Sequence, residues 1–153
     1  LPSLIGKYGT SVCLVTGRSS FLGTERADRF LEALSSMNIS FRIIKVGGEP
    51  SPALVDNAVK ECHGSPTDVV VSIGGGSSLD AGKAISAMLN RKESVRTFLE
   101  GVGDREHPGT KVPFIAVPTT SGTGSEATKN AVISETGING FKKRGFYFRF
   151  YCD

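Results

Sequence analysis

The sequence predicts an α/β fold built on a mainly parallel sheet flanked by helices. Three observations carry that expectation. Short apolar runs alternate with segments whose apolar residues recur at helical spacing, the pattern that packs helices onto a parallel sheet. One run, Asp68-Val69-Val70-Val71-Ser72-Ile73, is apolar nearly throughout, as in a strand covered on both faces. Glycine accounts for 19 of 153 residues, about 12% against a usual ~7%, and it gathers where apolar runs end and helices begin.

Each element has its own signal. Ser11-Val12-Cys13-Leu14-Val15-Thr16 reads as a buried strand ending at Gly17. A helix is expected over roughly Thr24 to Met37, with Ala27, Phe30, Leu31, Leu34 and Met37 on one face. Phe41 to Val46 is a second strand, closed by Gly47-Gly48. Ser51-Pro52 joins a capping hydroxyl to a proline suited to a first helical turn, and Leu54, Val55, Ala58, Val59 and Cys62 supply the buried side. The all-apolar strand runs straight into Gly74-Gly75-Gly76-Ser77-Ser78, and a helix is expected from about Leu79 to Leu89. Val95 to Leu99 reads as a helical turn or two, Gly101 to Gly109 as a polar loop. Val112 to Val117 reads as a fourth strand, followed by Pro118-Thr119-Thr120-Ser121-Gly122-Thr123-Gly124-Ser125. Strand order is not legible.

Composition narrows the functional classes. Hydrophobic residues at 39% and charged residues at 22% fit a soluble globular protein. No stretch approaches the roughly 18–20 apolar residues of a membrane span, and Leu1 to Lys7 lacks the marks of a secretory signal. No initiating methionine is present, so an excerpt of a longer chain is expected. Cys13, Cys62 and Cys152 are odd in number and far apart, which suits a reducing, cytoplasmic setting better than a disulfide framework. The net charge of +3 resides in the last thirteen residues, where Lys142, Lys143, Arg144 and Arg149 face Asp153 alone. The neutral remainder argues against nucleic-acid binding as the main task. That tail also holds six of the twelve aromatics, among them Phe146, Tyr147, Phe148 and Phe150. Its composition breaks with the rest near Gly145. Its alternation could add a strand or aggregate; a change of reading frame or an artificial end is the plainer reading.

Two loops carry the chemistry. In Gly74-Gly75-Gly76-Ser77-Ser78 the glycines let backbone approach a ligand closely, and the helix that follows points unpaired N–H groups and its positive dipole end into the loop. That is an anion site, most naturally for a pyrophosphate. Ser77 or Ser78 could cap the helix, bind phosphate, or both; the plainer reading is a tight turn with a serine cap. The string is not GxGxxG, so the ordinary Rossmann fingerprint is absent. Thr119 to Ser125 also follows a strand and is rich in hydroxyls suited to ribose and amide groups, the plainer reading being local turn closure. Two such loops at the carboxyl ends of parallel strands would face one crevice.

The strings Gly74-Gly75-Gly76-Ser77-Ser78-Leu79-Asp80-Ala81-Gly82-Lys83 and Pro118-Thr119-Thr120-Ser121-Gly122-Thr123-Gly124-Ser125-Glu126-Ala127-Thr128 resemble the iron-containing (group III) alcohol dehydrogenase family, over roughly residues 1–143. The resemblance implies a dehydroquinate-synthase-like architecture, with a Rossmann-like N-terminal domain for NAD(P) and a C-terminal all-helical metal domain. The second is expected to be absent here, leaving an NAD(P)-binding α/β domain over 1–140 and a divergent basic aromatic tail over 141–153. The resemblance assigns the pyrophosphate to Gly75, Gly76 and Ser77, and lays Thr119, Thr120 and Thr123 along the cofactor. A lysine after the next strand also reaches it, and Lys142 and Lys143 both qualify, Lys142 being taken as the site residue. Family members hold a divalent metal, usually iron or zinc, with one Asp and three His from the helical domain. No catalytic or metal ligand therefore carries over, and His63 and His107 are read as solvent-facing or loop histidines.

Asp80 stands one turn into the helix, placed to orient the glycine loop or approach a ribose hydroxyl. The plainer reading is a favourable charge near a helix N-terminus, worth roughly 0.3–1 kcal/mol. Lys83 is expected to pair with it on the helix surface. The end of the first strand usually meets the adenosine ribose, where an acidic residue repels a 2′-phosphate. Gly17, Arg18, Ser19 and Ser20 stand there instead, a small residue, a guanidinium and two hydroxyls, and predict NADP with NAD as the alternative.

The expected function is the cofactor-binding part of a metal-dependent NAD(P) oxidoreductase interconverting an alcohol and an aldehyde or ketone, inactive alone. The alternatives are a non-catalytic nucleotide-binding module and a dehydroquinate-synthase-like lyase domain. Expected partners are the nucleotide, a small alcohol or aldehyde substrate in the longer enzyme and further copies of the chain, with no nucleic acid and no membrane.

Overall fold

The computed structural model describes residues 1–18, 21–137 and 140–147, with side chains as far as residue 135. The elements are α1 (Pro2–Ile5), β1 (Ser11–Gly17), α2 (Glu25–Ser36), β2 (Ser40–Val46), α3 (Pro52–Cys62), β3 (Val69–Gly74) and α4 (Gly76–Met88). A 3₁₀ turn (Val95–Phe98), β4 (Phe114–Pro118), β5 (Asn130–Gly137) and β6 (Gly140–Tyr147) follow.

Strands β1 to β4 form one parallel sheet in the order β2-β1-β3-β4. Side chains alternate across it as the pleat requires. Val12 and Leu14 of β1 join Leu34 and Ile39 in one core, whereas Cys13 and Val15 join Val55, Ala58, Ala84 and Ile85 in another. Helix α2 therefore covers one face, and α3 and α4 cover the other. Right-handed crossovers impose this, because the chain moves outward from β1 to β2 and then back across β1 to β3. Strand β3 lies at the centre and is buried along its whole length, as its apolar run predicts.

Local signals place the helix starts. Thr24 Oγ1 accepts from Ala27 N at 3.2 Å, and Ser51 Oγ accepts from Leu54 N at 3.2 Å with Pro52 in the first turn. Helix α4 is different, since every residue from Ser78 to Met88 is buried. Its small Ala, Gly and Ser residues let it sit tightly between the sheet and its helical neighbours.

The structure departs from expectation at four places. Helix α4 begins at Gly76, not Leu79, so most of the expected loop is its first turn. Strand β4 starts at Phe114, after Pro113, which has no N–H to give a ladder. The short α1 was not foreseen, its four residues being too few for periodicity to register. Nor was the antiparallel β5–β6 hairpin, which pairs Asn130 with Tyr147 through to Gly137 with Gly140. Strand β6 begins at Gly140 and runs on into the segment expected as the tail. Ala131 and Ile133 are fully buried against the α3–α4 core, Ser134 N donates to Pro50 O at 2.8 Å, and Arg96 Nη2 meets Glu135 Oε1 at 2.7 Å. Among the described residues no helix is long and apolar enough to cross a membrane.

Candidate functional site

The sheet order defines where a site can form. After β1 the chain turns to the α2 face, and after β3 it turns to the α4 face. The carboxyl ends of these adjacent strands therefore part and leave a crevice, the usual ligand position in open parallel sheets. Gly17 and Gly74 close the two strands, and a Cβ on Gly74 would stand 3.6 Å from Gly17 N.

Helix α4 opens at this point with Gly75 as its N-cap and no side chain capping it. Helices α2 and α3, by contrast, carry side-chain caps. The first-turn N–H groups of α4 are thus left for a ligand at the positive end of its dipole. The expected cap at Ser77 or Ser78 does not form, because the helix starts before both. Ser78 is buried behind Gly74, where an added Cβ would come within 2.6 Å of its Oγ, and its carbonyl accepts from Ser72 Oγ at 2.8 Å. Ser77 stays half-buried in the first turn.

The threonine loop arrives at the same place. Thr119 N donates to Gly74 O at 2.9 Å, extending the β3–β4 pairing past the strand ends. A Cβ on Gly75 would lie 3.1 Å from Thr120 Oγ1, and one on Gly76 would lie 3.2 Å from Thr123 Cγ2 and 3.3 Å from Ser125 Oγ. Glycine at both positions lets the threonines close over the helix start. The loop turns through Gly122 and Gly124, whose φ values of +92° and +64° favour glycine. Thr119, Thr120 and Thr123 are exposed, and Gly75 and Gly76 are half-buried. Gly17, Gly75, Gly76, Ser77, Thr119, Thr120 and Thr123 therefore share the carboxyl end of the sheet.

Asp80 and Lys83 pair, with Nζ 2.9 Å from Oδ1, but not on a helix surface. Lys83 is 2% exposed and Asp80 7%. The ammonium also donates to Ser125 O at 2.8 Å, to Thr128 Oγ1 at 3.1 Å and to Asn130 O. The helical surface expected from an i, i+3 charge pair is covered here by the chain between Ser125 and Asn130.

Two neighbours of the crevice went unnoticed in the sequence. Thr16 Oγ1, beside Gly17, is buried and has no hydrogen-bond partner in the structure; a lone threonine in an apolar strand gives no warning of this. Gly47 follows β2, and a Cβ there would stand 2.0 Å from Arg18 Nε. The Arg18 side chain thus lies across the carboxyl end of β2, beside that of β1.

Ser19 and Ser20 lie outside the described residues. Lys142 stands opposite Glu135 in the β5–β6 hairpin, and its side chain is likewise outside them. His63 is exposed just after α3. His107 lies in the loop before β4 but is only half-exposed, its Nε2 3.2 Å from Ala87 O and its ring edge-on to Phe98. Among the described residues no three His, Cys, Asp or Glu side chains gather to hold a metal ion, so those residues do not fit iron or zinc.

The model of the family described as "Iron-containing alcohol dehydrogenase" matches residues 1–152. Sulfoacetaldehyde reductase of Bilophila wadsworthia is 35% identical over 113 residues, covering 73% of this chain and 28% of the relative. NADH-dependent butanol dehydrogenase A of Clostridium acetobutylicum is 33% identical over 137 residues, covering 88% and 34%. Among solved structures, the iron-containing alcohol dehydrogenase of Thermotoga maritima superposes with a TM-score of 0.79 at 33% identity, over 96% of this chain and 40% of that one. An alcohol dehydrogenase from an archaeal halo-thermophile of a Red Sea brine pool gives a TM-score of 0.83 at 30% identity, over 95% and 38%. The chain thus spans about a third of the length of these relatives.

Proposed function

Because this chain belongs to the iron-containing alcohol dehydrogenase family, we propose that it is the cofactor-binding part of a metal-dependent NAD(P) oxidoreductase that interconverts an alcohol and an aldehyde or ketone. The carrying observation is the meeting of the two loops at the uncapped start of α4. Neither loop alone would distinguish a ligand site from a tight turn. Together they place free N–H donors, hydroxyls and close-approach glycines around one crevice.

In this reading the N–H groups of Gly76 and Ser77 take the pyrophosphate, with Gly75 giving it room. The exposed hydroxyls of Thr119, Thr120 and Thr123 hold the sugar and the far end of the molecule. Micromolar affinity needs about 8 kcal/mol, and a few hydrogen bonds to charged phosphate at roughly 1.5–3 kcal/mol each supply much of it. The nicotinamide, when bound, supplies hydride chemistry; this chain's residues bind and orient it. No described residues hold a metal, so no step is assigned to one and the chain alone is not expected to turn over.

NADP is the proposed form. Gly17 offers no carboxylate to repel a 2′-phosphate, and Arg18, exposed and lying over Gly47, supplies a guanidinium beside it. The name of the butanol dehydrogenase relative favours NADH as the second reading. Titration calorimetry of the chain with NADPH and NADH tests both. Tighter NADPH binding is expected. Tighter NADH binding rejects the NADP assignment, and no binding of either rejects the nucleotide reading.

A further inference from the structure

We infer that Lys83 is a positioning residue, one that holds the threonine loop against the start of α4 so that both ends of a dinucleotide are gripped together. The inference rests on the nucleotide reading above and adds to it a residue that touches neither phosphate nor sugar.

The chain between β4 and β5 runs across the carboxyl end of the sheet with little apolar anchoring. Residues 118–123 are exposed and the turns at Gly122 and Gly124 add no side chains. It is tied at two points. Near its start, Thr119 N donates to Gly74 O. Near its end, Lys83 Nζ reaches Ser125 O, Thr128 Oγ1 and Asn130 O, 42 to 47 residues away in sequence. An ammonium has three protons, and here every one is spent on this segment and on Asp80. Taking a lysine this far out of water is costly unless it is paired and fully hydrogen-bonded. The arrangement meets that cost, and its product is a fixed distance between α4 and residues 125–130. Ser125 Oγ in turn lies against Gly76, 3.3 Å from where its Cβ would be. A free loop end would leave the α4 N–H groups in place but let Thr120 and Thr123 drift from them.

That separation gives the test. ADP carries the pyrophosphate and adenosine and needs chiefly the α4 start, whereas NADPH needs both loops. Calorimetry with ADP and NADPH is compared for the parent chain, Lys83→Met, Asp80→Asn, the double variant Asp80→Asn/Lys83→Met, and Thr128→Val. Lys83→Met also strands the Asp80 carboxylate, and the double variant removes that charge, recovering thermal stability without restoring the tie. Thr128→Val removes one partner on the exposed side and reports even where Lys83→Met does not fold. The expected result is NADPH binding weakened about tenfold in the double variant relative to Asp80→Asn alone, and weakened less but in the same direction in Thr128→Val relative to the parent, with ADP binding within about twofold of the same reference in each comparison. NADPH affinity recovering together with stability in the double variant overturns the inference. So does an equal loss for ADP and NADPH, which marks a general structural role, or no loss in any variant. A parent chain that binds neither nucleotide instead removes the reading on which the inference stands.

Discussion

His107 shows how one side chain acquires a defined state from its surroundings. Its Nδ1 accepts from Gly109 N at 3.1 Å, which requires a bare nitrogen there, and its Nε2 faces the Ala87 carbonyl, which requires a proton. The ring is therefore neutral, and partial burial holds its pKa below the usual 6.5. From about pH 6.5 downward the unfolded chain takes up a proton here that the folded chain resists. The histidine's contribution is present in full above that pH and is lost as the pH falls. By NMR, His107 is expected to titrate below 6.5 while stability measured by urea declines as pH is lowered, and His107→Gln should flatten part of that slope. A midpoint above 6.5 would contradict the assignment. At this scale the sequence identified a loop histidine but not its partners, because Ala87 and Phe98 come to it only through folding. The same holds for Lys83. Its pairing with Asp80 follows from helical spacing, whereas its burial depends on residues more than forty positions away.

Elements were legible where local chemistry decides them. Thr24 and Ser51 cap α2 and α3 as their positions foretell, and the apolar run of β3 is buried end to end. Helix α4 shows the limit. Three glycines before it suggest a loop, yet its first turn forms because burial from Ser78 onward outweighs weak helix propensity. Gly82 within it faces the sheet, where a Cβ would stand 2.8 Å from both Ser72 Cβ and Phe114 Cε2. Alanine gains up to about 1 kcal/mol of helix propensity, but overpacking costs roughly 1–3 kcal/mol. Gly82→Ala is thus expected to lower stability, by up to about 2 kcal/mol net, measured by chemical denaturation. A more stable variant would show that Phe114 swings aside freely. The β5–β6 hairpin escaped notice because its first strand mixes apolar and polar residues, and only contact with α3 and α4 makes Ala131 and Ile133 core positions.

For the whole molecule, the order β2-β1-β3-β4 is what turns two separate loops into one crevice. The described chain carries a candidate nucleotide site and no metal cluster. The purified protein given NADPH, a short aldehyde and added iron or zinc is accordingly expected to show no loss of reduced nicotinamide above background. Measurable turnover would contradict the proposal that catalysis needs more than these residues.

The sequence by itself determined the α/β class, the parallel strands, most helix limits and the residues of both loops, because apolar periodicity, caps and glycine act over a few residues. Only the tertiary structure decided that Gly75 lies under Thr120, that Arg18 lies over Gly47, and that Lys83 is buried beneath the chain from Ser125 to Asn130. Those contacts join segments far apart in the chain. They follow from the order in which strands pair and the face each helix takes, and no local pattern encodes that order.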